Sequence, residues 1–213
     1  MSSITKKESG SSSLADSIRT NCGILGIAAS SEALERLAIY TTELIRWNRR
    51  INLTGASDSA SFANGPLFDA MTLIPVMART DSFVDIGSGG GLPGIPALIL
   101  TDHPHVTLVE PRTKRASFLR HIIHMLSVHA DVVTSRIESL PKARWHSAAS
   151  QAVFEPAEWI RRAIEIVAPS GAIYTLTAKP VPEAAQDGVT QEAVIEQVNP
   201  MTGSSRYAYR FRR

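Results

Sequence analysis

The chain has 213 residues, 44% of them hydrophobic and 20% charged, with a formal net charge of +2 and a sequence pI of about 8.9. That composition excludes a disordered polyelectrolyte, and no apolar run is long enough to span a bilayer. The single cysteine, Cys22, excludes an internal disulfide and points to a reducing, cytoplasmic setting.

The start, "MSSITKKESGSSSLADS", has lysines but no apolar run after them, so it reads as a flexible tail over residues 1–15 and not as a secretory signal. Helical spacing follows in "SSEALERLAIYTTELIRWNRR", with Leu34, Leu37, Ala38, Thr41, Leu44, Ile45 and Asn48 on one face and Ser31 as N-cap. After the polar "GASDSAS", "PLFDAMTLIPVMA" reads as another helix, which makes residues 16–80 a helical N-terminal extension.

From residue 82 the period changes, and residues 81–213 read as one ligand-binding domain. "SFVDI", "VTLVE" and "ADVVTS" have the short apolar form of buried parallel strands, and "PGIPALIL" and "RTKRASFLRHIIHMLSV" that of the helices between them. "HSAASQAV" is too rich in small polar residues to assign as a strand on propensity. "EPAEWIRRAIEIVA" is helical, with Trp159, Ile160, Ala163, Ile164 and Val167 along one face. "GAIYTLTA" is a strand after the turn "PSG", and "EAVIEQV" and "RYAYRFRR" supply antiparallel edge strands. Strand alternating with helix implies an α/β, doubly wound, Rossmann-like sheet.

The chemistry is concentrated in "FVDIGSGGGLPGIPALIL", residues 83 to 100. A strand entering a glycine turn and then a helix suits a nucleotide-type ligand at the carboxyl ends of the strands. The dinucleotide fingerprint is not met, because Gly87, Gly89 and Gly91 are followed by Leu92 where the last glycine belongs. Asp85 would repel a pyrophosphate and attract a sulfonium and an ammonium, so S-adenosylmethionine fits better than NAD. Glu110, at the end of the second strand, is placed to accept hydrogen bonds from ribose hydroxyls. The plain structural alternative is a tight turn flanked by solvated acids.

Several segments together resemble the bacterial 16S ribosomal RNA guanine-N7 methyltransferases, the glucose-inhibited division protein B family. They are "VDIGSGGGLPGIPALIL", "LIRWNRRINLTG", "LFDAMTL", "VTLVEPRTKRASFLRHI" and "SRIESL", and they span roughly residues 35 to 180. The resemblance implies a methyltransferase sheet binding S-adenosylmethionine along Asp85, Gly87, Ser88, Gly89, Gly91 and Leu92. It further implies Glu110 on the ribose, Ile137 and Glu138 on the adenine side, and Gln151 at a cofactor-proximal position. Its partner would be ribosomal RNA or the 30S subunit. Read without it, Arg136 and Glu138 look like a helix-flanking charge pair. The chain departs from the family pattern at Pro66 and Ala70, at Gln151 in place of arginine, and at His146 in place of aspartate, all on the expected substrate side.

Substrate-binding candidates are Arg49, Asn52, Asp69, Lys114 and Arg115, with Asn52 and Asp69 equally readable as capping or turn residues. In "RYAYRFRR", Arg206, Arg210 and Arg212 could face RNA, or stand in water on an edge strand whose Tyr207, Tyr209 and Phe211 face the core. His121 and His124 share a helix face without accompanying acids or thiols, so no metal site is expected. Trp47, Trp145 and Trp159 read as packing residues. No catalytic residue is identified, which suits methylation of guanine N7, since that nitrogen has no proton to lose. The expectation is a monomeric cytoplasmic enzyme. A diverged small-molecule methyltransferase and a non-catalytic RNA-associated binding protein remain the alternatives.

Overall fold

A computed structural model describes the backbone of residues 5–101, 103–181 and 188–213, and side chains from residue 13 onward. Seven strands form one sheet: β1 (Phe83–Ile86), β2 (Val106–Val109), β3 (Asp131–Val133), β4 (Trp145–Ser150), β5 (Val167–Thr177), β6 (Thr190–Val198) and β7 (Ser205–Arg212). Their order is β3-β2-β1-β4-β5-β7-β6, parallel through the first five, with β7 antiparallel to both β5 and β6. Every residue of β1 and β2 is buried, as parallel strands covered on both faces require. The larger core packs the N-terminal helices, α5 (Gly94–Leu100) and α6 (Thr113–Leu126) against one face. The smaller core packs α7 (Pro156–Ile166), through Trp159, Ile160 and Ala163, against the other.

Several elements differ from the sequence reading. Helix α1 spans Thr5–Ile24, so helix begins inside the stretch read as a tail; residues 1–4 lie outside the described residues. Its Leu14, Ile18 and Cys22, at steps of four, are buried in the larger core, and that burial outweighs the modest helix propensity of the serines. Helix α2 (Ser31–Ile51) is capped by Ser30 and not Ser31: the Ser30 hydroxyl accepts from Ala33 N–H at 3.1 Å. The single helix expected over "PLFDAMTLIPVMA" is broken. Helix already begins with α3 (Ser59–Phe62) in the polar "GASDSAS", and a π-turn (Ala63–Leu67), α4 (Phe68–Met71) and a 3-10 turn (Ile74–Val76) follow. Pro66 sits inside the π-turn, where the wider winding accommodates a residue that has no N–H to donate.

The doubtful "HSAAS" is a central strand, β4. Its small residues fit between two packed faces, and its hydroxyls are satisfied: Ser150 Oγ donates to the Ile86 carbonyl at 2.9 Å, and Ser147 Oγ lies 2.6 Å from Thr80 Oγ1. The "PSG" turn falls within β5, where the register to β4 shifts between the Trp145–Val167 and Ser147–Ala172 pairs. β7 is an interior strand; β6 forms the edge. Phe211 and Tyr209 are buried as expected, but the arginines are engaged: Arg206 with Asp69, and Arg210 and Arg212 with Glu192.

Candidate active site

The carboxyl ends of β1, β2 and β4 converge around the glycine turn. Asp85, near the end of β1, is fully buried. Its Oδ2 accepts from Gly94 N–H at 3.0 Å, while Oδ1 is buried with no hydrogen-bond partner. Burial pushes its carboxyl pKa up to about 8, and the nearby Glu110 carboxylate adds to the rise; the adjacent Ser88 hydroxyl and the Gly94 N–H act in the opposite direction. A buried acceptor facing no donor implies an N–H-bearing ligand, and the ammonium of S-adenosylmethionine has that character.

The turn depends on bare backbone. Gly87 has φ +74°, and a Cβ there would lie 2.6 Å from Val153 Cγ2. Gly94 is required for another reason: an added Cβ would meet Leu108 Cδ2 at 2.3 Å and Asp85 Oδ2 at 2.6 Å. The turn is braced from both sides. Glu110 Oε2 accepts from Gly89 N–H at 2.9 Å and its Oε1 from Arg112 N–H at 2.8 Å, which fixes this buried carboxylate. From α2, the Tyr40 hydroxyl donates to the Gly90 carbonyl at 2.7 Å. Burial raises the Tyr40 pKa well above its usual range, with the Asp85 charge adding to it, so the phenol stays a donor.

Asn48 organises the loop behind the turn. Its Oδ1 accepts from the N–H groups of Leu53 and Thr54 at 2.6 and 2.9 Å, and its Nδ2 donates to the Thr54 and Ala56 carbonyls at 2.9 and 3.4 Å. The Leu53 carbonyl then lies 3.3 Å from where a Cβ on Gly90 would be. "WN…NLT" is thus a structural support of the glycine turn, as is Tyr40; Gly94 was equally visible in "LPGIP" but its steric reason was not.

A cleft of about 390 Å³ opens above the turn. Gly87, Glu110, Arg115, Ile137, Glu138 and Phe154 line it, so five of the sequence candidates meet there. Asp85, Ser88, Gly89, Gly91 and Leu92 belong to the strand end and turn beside it; Ser88 Oγ donates to the Asp85 carbonyl at 3.0 Å. The Glu138 carboxylate pairs with Arg162 at 2.6 Å, not with Arg136. A local backbone hydrogen bond, and then that pairing, lower its pKa. Gln151 directly follows β4. Asp85 registers with Ala149, so strand alternation puts Gln151 on the same sheet face as Asp85, with its Oε1 buried and unpartnered.

Among the substrate candidates, Arg49 is exposed near the end of α2 and Lys114 at the start of α6. Arg115 bridges the two helices, donating to the Asn52 carbonyl at 2.9 Å, and Asn52 is the left-handed C-cap of α2. Asp69 accepts from Asn199 Nδ2 at 3.1 Å and pairs with Arg206 at 2.8 Å, tying α4 to the β6–β7 hairpin. His146 opens β4 and lies 3.0 Å from Ser82 Oγ, at the opposite end of the strand from the cleft. The departures from the family pattern therefore do not all gather on the substrate side. His121 lies 3.2 Å from Glu43, and among the described residues no three His, Cys, Asp or Glu side chains converge as a metal group. Trp145 and Trp159 are buried and donate to Thr107 Oγ1 and the Tyr174 carbonyl, while Trp47 packs on Phe118 and His121.

The strand order, the antiparallel β7 and the acid-tipped glycine turn define a Rossmann-like methyltransferase fold. The N-methyltransferase NodS from Bradyrhizobium japonicum, solved with S-adenosyl-L-homocysteine, superposes with a TM-score of 0.57 at 12% identity over 81% of this chain and 98% of its own. A SAM-dependent methyltransferase from Aquifex aeolicus gives 0.52 at 13% identity over 71% of this chain and 92% of its own. Sequence relationship narrows the class. The family model for rRNA small subunit methyltransferase G matches residues 33–204. The ribosomal RNA small subunit methyltransferase G of Neisseria meningitidis serogroup B is 30% identical over 85% of this chain and 87% of its own length. The protein of the same description from Anaeromyxobacter is 28% identical over 88% and 92%. The chain belongs to the rRNA small subunit methyltransferase G family and is an S-adenosylmethionine-dependent methyltransferase.

Proposed function

We propose that this enzyme methylates guanine N7 in 16S ribosomal RNA, acting as a cytoplasmic monomer. In this reading residues 81–213 hold the donor, and residues 16–80 brace the glycine turn and shape the RNA-facing side. The observation that carries it is the pairing of an acid-floored cleft with a cationic rim. Among the described residues Arg49, Arg50, Arg112, Lys114 and Arg136 are exposed and have no ion pair, whereas Arg36, Arg46, Arg162, Arg206, Arg210 and Arg212 are each paired with a carboxylate. Arg112 and Arg136 line the cleft itself, and Arg115 joins its wall to the end of α2. Unpaired cations on the cleft lining, Arg112 and Arg136, suit a phosphate backbone better than a small neutral acceptor.

When bound, S-adenosylmethionine supplies an electrophilic methyl group on sulfur. The residues present fit it: Asp85 Oδ1 would hold the ammonium, Glu110 the ribose hydroxyls, and Ile137 with Glu138 the adenine side. The acceptor N7 would use its in-plane lone pair, and the chain's own residues would hold that nitrogen towards the donor cleft. No proton leaves the base, so the protein needs no general base, and holding the two reactants in line is its main task. The test is incubation of 30S subunits and of naked 16S RNA with labelled donor, followed by mapping of N7-methylguanine. Incorporation at a guanine N7 in either is expected. Donor binding without incorporation into either overturns this acceptor.

A further inference from the structure

A second hollow, of about 460 Å³, opens at the carboxyl ends of β4 and β5 and shares Ala152 and Phe154 with the donor cleft. This volume falls within the ~300–1,000 Å³ typical of small-ligand sites. Ser150 and Thr175 reach it from the strand ends, Glu155 from the N-cap of α7, and Lys179 from the segment after β5. Phe154 lines both spaces, and it is held firmly. Its ring stacks on buried Trp159 at 6.1 Å and 8°, and the Arg162 guanidinium lies 5.0 Å from its centre. Arg162 is in turn fixed by Glu138 and Glu158. The second hollow therefore adjoins the donor cleft along a wall fixed by a packed network.

We infer that this hollow receives the extruded acceptor guanine and that Glu155 reads its Watson–Crick edge. The inference rests on the guanine-N7 reading above and adds to it the place and the reader of the base. An enzyme acting on a base must take it out of the stack and recognise its exposed edge. Guanine presents adjacent N1–H and N2–H donors there, matching the two oxygens of one carboxylate; adenine presents an acceptor at N1, which a carboxylate repels. N7 lies on the imidazole side of the ring, away from those donors, so binding through Glu155 leaves N7 free to face the donor cleft.

Glu155 is suited to this. It is exposed, forms no ion pair among the described residues and caps no helix N–H with its side chain, so its oxygens are uncommitted. As N7 takes the methyl group, positive charge develops on the base, and a carboxylate on the opposite edge stabilises that state more than the neutral ground state. Lys179, exposed and also without an ion pair among the described residues, is placed to meet the phosphate of the extruded nucleotide.

The experiment compares wild type with Glu155→Gln and Ala178→Trp, the latter adding bulk at an exposed position on the hollow. Methylation of 30S subunits is measured alongside S-adenosylhomocysteine affinity by calorimetry and the melting temperature. Expected for Glu155→Gln is a loss of about tenfold or more in kcat/KM, carried largely by kcat. Ala178→Trp should abolish methylation, and both variants should keep donor-side affinity and melting temperature. If the wild type methylates guanine and both variants match it, the hollow is not the acceptor site. If the wild type binds S-adenosylhomocysteine but methylates no guanine, the acceptor reading itself falls, and this inference with it.

Discussion

Asp85 combines complete burial, one unpartnered oxygen and a pKa near 8. In the free protein near pH 7 its carboxyl is largely neutral. Because this pKa is raised above the unfolded value of about 3.9, the stability it contributes is complete below that value and is lost as pH climbs through about 8. A cationic ligand reverses the preference, since its ammonium favours the ionised acid. Binding of S-adenosylhomocysteine at neutral pH should therefore release a proton, and affinity should rise as pH increases towards 8. Calorimetry in buffers of different ionisation heat reads that proton directly. In Asp85→Asn the linked release should vanish and affinity fall by about tenfold or more, roughly the 1.4 kcal/mol of one charge-assisted contact. A wild-type affinity that is flat with pH and releases no proton would refute this account of Asp85.

At the scale of elements, the donor site depends on helices that do not line it. Asn48 near the end of α2 makes four hydrogen bonds to the backbone of Leu53, Thr54 and Ala56, and the loop so formed presses on Gly90. Asn48→Ala removes all four and leaves part-buried backbone groups without partners. A loss of about 2–3 kcal/mol in unfolding free energy is expected, with weakened donor affinity although Asn48 meets no ligand. Denaturant unfolding and S-adenosylhomocysteine titration check the two effects; an unchanged affinity would separate the loop from the site. The family-like "WNRRINLT" was legible as a motif, but its role was not, because side-chain bonds to a loop several residues away leave no periodic trace. The broken run over residues 59–76 was misread for a related reason: Pro66 could end a helix or widen it, and packing settled the matter.

At the scale of the whole molecule, a net charge of only +2 conceals an uneven distribution. Cations at the cleft mouth are unpaired, and most elsewhere are matched by acids, including the arginines of β7 that the sequence offered as an RNA tail. Replacing Arg49 and Arg50 together by Glu should weaken RNA binding uniformly across sequences. It should also lower the salt slope of log affinity by about one per cation removed, with stability and donor affinity unchanged. Binding measured over a range of salt concentrations checks it; an unaltered slope would move the RNA to another face.

The sequence by itself determined the fold class and the nature of the donor. Alternating apolar runs, a glycine turn and two strand-end acids are local features whose chemistry can be read within a few residues. Tertiary structure alone decided the rest: that β7 lies inside the sheet, that Glu138 answers Arg162, that Asp69 ties α4 to a hairpin, and which arginines remain free. Each of these depends on a partner far away in the chain. The charge of Asp85 belongs with them, since a carboxyl's ionisation is set by the solvent and dipoles that folding removes or supplies, and not by its neighbours in sequence.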